Sequence, residues 1–157
     1  MSFSTAVAVL FVYLFSLEPK NCPYNAEMAK NAAAGIAAVT DVYWEAETLA
    51  RIARWESGLR RDIADCTVLG KRGERSIFQV MPRSNSEKTD LCSSDFTKQA
   101  RIALARIRES KAVCEKQGLR GADVLGIYTH GECIRGNRIA AFRYGDGSKL
   151  RSLLESE

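Results

Sequence analysis

The sequence predicts a mainly α, single-domain protein, on three observations. Apolar residues at Val42, Ala46, Leu49, Ile52 and Ala53 fall close to the spacing of one helical face. A longer pattern from Thr97 to Gln117 sets Ala100, Ala103, Leu104, Ile107 and Cys114 on one side and Arg101, Arg106, Arg108 and Lys111 on the other. The chain has 157 residues, 46% of them hydrophobic and 27% charged, which suits one domain with a real core. No internal repeat divides it, and low complexity is confined to Ala32–Ala34.

In chain order, Ala6 to Phe15 is an unbroken apolar stretch of ten residues. It is too short for a comfortable membrane span but fits the core of an export signal. No Lys or Arg precedes it and no clear small-x-small cleavage site follows. Three readings remain: an uncleaved export signal, a weak membrane anchor, or the first core helix. We prefer the export element, so residues 1–20 are set apart from a domain over 21–157. Pro19 to Tyr24 then reads as a linker, followed by an Ala-rich helix from Asn25 to Val39. Asp41 is a suitable N-cap for the helix from Val42 to Trp55, and Gly58 a suitable terminator. Gly70-Lys71-Arg72-Gly73 is a loop by its glycines and charges. Asp95 caps the Thr97–Gln117 helix and Gly118 stops it. A short helical pattern starts near Ala122, another runs from Asn137 to Tyr144, and Gly145-Asp146-Gly147 ends it. The tail from Ser148 to Glu157 suggests a loose turn of helix.

Glu56 carries the chemistry. It lies in Trp55-Glu56-Ser57-Gly58-Leu59, on the last turn of a largely buried helix. The negative end of the helix dipole and poor solvation beside Trp55 and Ile52 both favour a protonated carboxyl there. Such a group can act as a general acid, as glycosidic cleavage requires. The competing reading is a solvated surface carboxylate.

Two further segments weigh on that choice: Ser76-Ile77-Phe78-Gln79-Val80-Met81-Pro82, and Gly126-Ile127-Tyr128-Thr129-His130-Gly131. Together with Glu56-Ser57-Gly58 they resemble the lytic transglycosylases of the lysozyme-like superfamily. That family carries Glu-Ser-Gly/Asn at a helix end, then Gly-Leu-Met-Gln-Ile/Leu-x-Pro, then Ala-Tyr-Asn-Ala-Gly. The second motif keeps Gln79 and Pro82 but has Ser76 where Gly is usual. The third keeps Tyr128 and Gly131, with Thr129 in place of Asn and His130 in place of a small residue. The resemblance spans residues 41–145, and its specificity lies in the order and spacing of the motifs.

The resemblance implies a lysozyme-like fold with at most a small β element at Ser76 to Val80. It implies that Glu56 protonates the glycosidic oxygen between N-acetylmuramic acid and N-acetylglucosamine in peptidoglycan. The same carboxylate then deprotonates the muramic C6 hydroxyl, which closes on C1 to leave a 1,6-anhydro end. No second carboxylate is needed, unlike the usual two-carboxylate glycosidases. Ser57, Gln79, Tyr128 and Thr129 are the implied substrate-binding residues. Three of them have a plainer alternative: Ser57 caps the helix end, Gln79 is a satisfied polar residue in an apolar run, and Tyr128 is core. The Thr129 departure weakens the case for substrate contact there. Asp62, Asp65 and Glu74 are candidates for a second carboxylate, which would make the enzyme a hydrolytic muramidase; otherwise they pair with neighbouring arginines or lysines. A non-catalytic peptidoglycan-binding accessory protein is the reading from another class.

The net charge of +4 favours an anionic polymer through long-range attraction. No recognition-helix, RNA-binding or zinc-finger signature accompanies it, so nucleic acid is a poor partner. His130, the single histidine, has no ligand pattern around it, and we assign no metal and no cofactor. The five cysteines include no Cys-x-x-Cys pair. Cys66 and Cys92 flank the second motif, and Cys114 and Cys133 flank the third, so disulfides there would stiffen the cleft walls. Cys22 is left over, and free buried thiols in a reducing compartment are the alternative. The expectation is a monomer acting on the cell wall, exported or phage-encoded, with membrane association through the N-terminal segment as a further option.

Overall fold

The computed structural model describes residues 2–16 and 26–156. Nine α-helices are named along them: α1 (Phe3–Ser16), α2 (Ala26–Ala37), α3 (Tyr43–Ser57), α4 (Arg61–Ala64), α5 (Asn85–Leu91), α6 (Phe96–Lys116), α7 (Gly126–His130), α8 (Arg138–Arg143) and α9 (Ser148–Glu155). A 3-10 turn at Gly121–Leu125 leads into α7. Among the described residues the only named β pairing is an isolated antiparallel bridge between Arg75 and Val80. The molecule is thus a mainly α single domain, and the small β element falls at the edge of the second motif.

Helix α3 runs through the core. It contacts α1, α2, α6, α8 and α9, and buries Ala46, Leu49, Ala50, Ile52 and Ala53. Helix α6 packs on α2 and on the 3-10 turn, with Ala100, Ala103, Leu104, Ile107 and Cys114 buried as its periodicity required. Asp95 caps α6 by accepting from the Thr97 amide. Asn137 does the same for α8 through the Ala140 amide. The tail forms a longer helix than the loose turn expected, because Leu150 finds a buried seat in the common core.

The Asp41 cap is a correction. The residue in the cap position is Val42, which makes no side-chain cap bond. Thr40 serves instead: its Oγ1 accepts from the Val42 amide at 3.1 Å and donates to Glu45 in the first turn. Glu45 also receives Arg108 Nε at 2.7 Å and Nη2 at 2.9 Å, tying α3 to α6. At the other end Gly58 adopts a left-handed conformation, φ +57°, and its amide bonds to the Arg54 carbonyl. That turn fixes Glu56 on the last turn of α3, as the sequence implies.

The N-terminal apolar stretch, set apart above as an export element, packs on the common core: residues 3–16 form α1, and Val9, Leu10, Tyr13 and Leu14 are buried with residues of α2, α3 and α9. A run apolar on every side can bury one helical face as readily as enter a membrane, and here a polar contact also anchors it. Arg51 Nε donates to the Tyr13 hydroxyl at 2.8 Å, and that hydroxyl donates to the buried Glu47 at 3.3 Å. Burial pushes the Tyr13 hydroxyl up to about 12. Among the described residues no helix is long and apolar enough to cross a membrane. The Pro19–Tyr24 linker, Cys22 and Asn25 lie outside the described residues.

Candidate functional site

The C-terminal end of α3, the loop over residues 70–83, the middle of α6 and helix α7 enclose a cleft of about 600 Å³. Four of the five residues singled out from the sequence line it: Glu56, Gln79, Tyr128 and Thr129. They come from three segments far apart in the chain, and their meeting is set by the core and by two disulfides. Cys66–Cys92 closes the loop bearing the second motif, and Cys114–Cys133 joins the end of α6 to the segment after α7. Disulfides persist in oxidising compartments, and two of them fit an exported protein.

Glu56 is part-buried at the cleft wall. The apolar surroundings expected for it are not what it meets. Trp55 is 50% exposed and turned toward Phe142, while Arg143 Nε on α8 donates to Glu56 Oε1 at 2.7 Å. Arg143 also reaches the Ile139 carbonyl, so its fork is braced along α8.

Ser57 does not reach the cleft. It is buried, its hydroxyl donates to the Ala53 carbonyl at 2.7 Å, and it accepts from the Leu59 amide at 3.1 Å. Its one donor and one of its two acceptor sites go to shaping the helix end.

The second motif is built around positive φ angles. Ser76 has φ +70° and Gln79 φ +49°, in the left-handed region that ordinary side chains seldom adopt. Ser76 therefore stands where glycine would be unstrained, and its Oγ compensates by accepting from the Phe78 amide at 3.1 Å. Gln79 Nε2 donates to the Ser76 carbonyl at 3.0 Å, while its Oε1 lies against Gly70, where an added Cβ would come within 2.6 Å. The absence of a side chain at Gly70 thus lets the loop close over Gln79.

Tyr128 stands in the cleft, but its hydroxyl points at the second motif and donates to the Phe78 carbonyl at 2.7 Å. Burial, and next the negative charge of Glu56, push this hydroxyl well above the usual tyrosine range, so it remains a donor. Thr129 Oγ1 donates to the Leu125 carbonyl at 3.0 Å and accepts from Asn137 Nδ2 at 2.8 Å. His130 Nδ1 lies 3.1 Å from that same Thr129 hydroxyl and 3.0 Å from Asn137 Nδ2, a structural setting for the lone histidine.

Of the candidate second carboxylates, one is in the cleft. Asp62 is exposed and paired with Arg60 at 3.0 Å, and Asp65 accepts from the Thr67 amide at 2.9 Å. Glu74 lines the cleft, taking the Arg72 amide at 2.9 Å and Arg72 Nε at 3.0 Å. Burial alone would raise its pKa, but those hydrogen bonds and the Arg72 charge outweigh it and hold the carboxyl below its ordinary value.

Several cleft residues were missed from the sequence. Arg83 and Glu109 form an ion pair at 2.9 Å, and Arg106 binds Glu87 at 2.7 Å. Two buried polar residues on α6 position the walls. Gln99 Nε2 donates to the Ala64 and Ser93 carbonyls at 3.0 and 2.8 Å, and its Oε1 accepts from the Ile77 amide at 3.3 Å. Ser110 donates to the Val124 carbonyl at 2.7 Å and accepts from the Ile127 amide at 3.1 Å. Both were legible as polar residues on an otherwise apolar helical face. Among the described residues no His, Cys, Asp and Glu cluster suits a metal ion.

Compared with known proteins, the chain matches no protein-family model, no curated protein and no solved structure.

Proposed function

We propose that this protein is a peptidoglycan lytic transglycosylase with Glu56 as its acid and base. The observation that carries the reading is the meeting of Glu56, Gln79, Tyr128 and Thr129 around one open cleft. Three sequence segments chosen for their resemblance to one family need not have converged. Glu56 delivers its proton to the glycosidic oxygen, then takes one from the muramic C6 hydroxyl as that oxygen closes on C1. The Arg143 contact is a resting-state arrangement on this account and opens when the glycan strand occupies the cleft. Tyr128 acts through Phe78, holding the second motif in place rather than touching Glu56. The two disulfides fit action in the periplasm, the cell envelope or the extracellular space.

A hydrolytic muramidase is the second reading, and Glu74 is the observation in its favour. It is a carboxylate kept ionised inside the same cleft, as a water-activating base must be.

The test is lysis and binding of purified sacculi by the oxidised protein beside Glu56→Gln. The expected result is a loss of lysis of about 10²- to 10⁴-fold with binding retained. Wild-type protein that binds sacculi and never cuts them would instead mark a non-catalytic glycan-binding protein.

A further inference from the structure

Two consecutive pairs of residues meet side by side at the edge of the cleft. Trp55 and Glu56 lie on the last turn of α3, Phe142 and Arg143 end α8, and each residue faces its counterpart. The Trp55 and Phe142 ring centroids lie 5.6 Å apart at 59°, beside the Arg143–Glu56 contact. Trp55 is 50% exposed and Phe142 56%, the two exposed aromatics among the side chains described. Ile139, 41% exposed, lies one turn back on the same face of α8. Neither ring belongs to the cleft lining itself.

We propose that Trp55 and Phe142 form a sugar-stacking platform, a glycan subsite that extends the cleft beyond Glu56 and holds an N-acetylhexosamine ring. The proposal rests on the glycan reading of the cleft. A pyranose presents an apolar C–H face and a rim of hydroxyl and acetamido groups. The C–H face complements the negative face of an aromatic ring. Arg143 stands next to the rings with planar N–H donors, suited to the oxygens on the rim once its bond to Glu56 opens. A second copy of this chain is a poorer occupant. Two half-exposed rings offer roughly 200 Å², against about 800 Å² per partner in a stable interface. The ring pair lies beside the Arg143–Glu56 contact, so a sugar on it would adjoin the carboxylate end of the cleft.

The experiment uses the full chain in a Trp44→Phe background, where Trp55 is the sole tryptophan of the original two. It is titrated with N-acetylglucosamine oligomers of increasing length while tryptophan emission is followed. The expected result is a saturable change in Trp55 emission that strengthens with oligomer length. Phe142→Ala weakens that affinity about tenfold, with the milder Phe142→Leu in between as a folded control. Trp55→Ala, followed by calorimetry, should weaken it similarly. Emission indifferent to the oligomers, or affinity unchanged in both ring variants, overturns the platform. Concentration-dependent dimerisation lost on Phe142→Ala also overturns it, in favour of a self-association patch. Oligomer binding without cleavage of sacculi would leave the platform standing and sink the transglycosylase reading. Cleavage with unaltered affinity in the ring variants would do the reverse.

Discussion

Arg143 and Glu56, 87 residues apart in the chain, are joined by a 2.7 Å bond from Nε to Oε1, with their side chains 17% and 25% exposed. The pair closes the end of α8 onto the end of α3 at the candidate catalytic carboxylate. At this partial exposure it contributes about 1 kcal/mol or less. Arg143→Ala should therefore lower Tm by about 2–4 °C, and a double-mutant cycle with Glu56→Ala should return a coupling of the same size. Scanning calorimetry on the four proteins checks this. On the proposed reading the contact opens for the glycan, so Arg143→Ala should not abolish lysis.

Tyr128→Phe separates two roles for the tyrosine. The hydroxyl serves the Phe78 carbonyl, and its removal leaves a buried acceptor unpaired at a cost of about 1–3 kcal/mol. Urea denaturation should show that loss, with lysis falling only as far as the second motif loosens. A collapse of lysis at unchanged stability would mean that the hydroxyl acts on substrate.

What the sequence made legible, and what it hid, follows one physical line. Glu56 at a helix end, the α6 face and the Asp95 cap are local: they depend on periodicity and on residues within a turn. The packing of the first helix was not legible because a stretch apolar on all sides carries no periodicity to say which face, or whether any, packs on protein. Arg143 was invisible because its partner is 87 residues away and arginines are many. Gln99 and Ser110 were signalled by their place on a buried face, yet which backbone groups they satisfy is a tertiary fact. The departure of Ser76 from glycine gained its meaning only from φ +70°.

The disulfides should matter in different ways. Cys66–Cys92 and Cys114–Cys133 bridge separations of 26 and 19 residues, and each should contribute about 3 kcal/mol by restricting the unfolded chain. Replacing either pair by serines and measuring urea midpoints checks the magnitude. Lysis should suffer more from loss of Cys66–Cys92, which closes the loop carrying Gln79, than its stability cost alone explains.

Acid should loosen the α3–α6 junction. Burial would raise the Glu45 pKa, but hydrogen bonds from Arg108 and Thr40 together with the Arg108 charge hold it below the ordinary value. Burial acts the same way on Glu87, and the Arg83 amide and Arg106 outweigh it. A carboxyl depressed in the folded state binds its proton more readily once unfolded. Its stabilisation is therefore complete above the ordinary glutamate pKa of about 4.3 and is lost as pH falls toward the lower folded value. Thermal melts from neutral to acid pH should show Tm dropping in that window, and the drop should shrink in Glu45→Gln.

The most direct measurement is mass spectrometry of the soluble products from peptidoglycan digested by wild type and by Glu56→Gln. The account expects muropeptides lighter by one water than hydrolysis would give, carrying 1,6-anhydro ends and missing from the mutant digest. Reducing-end muropeptides at full yield would contradict it, and would move the chemistry to a water activated by Glu74.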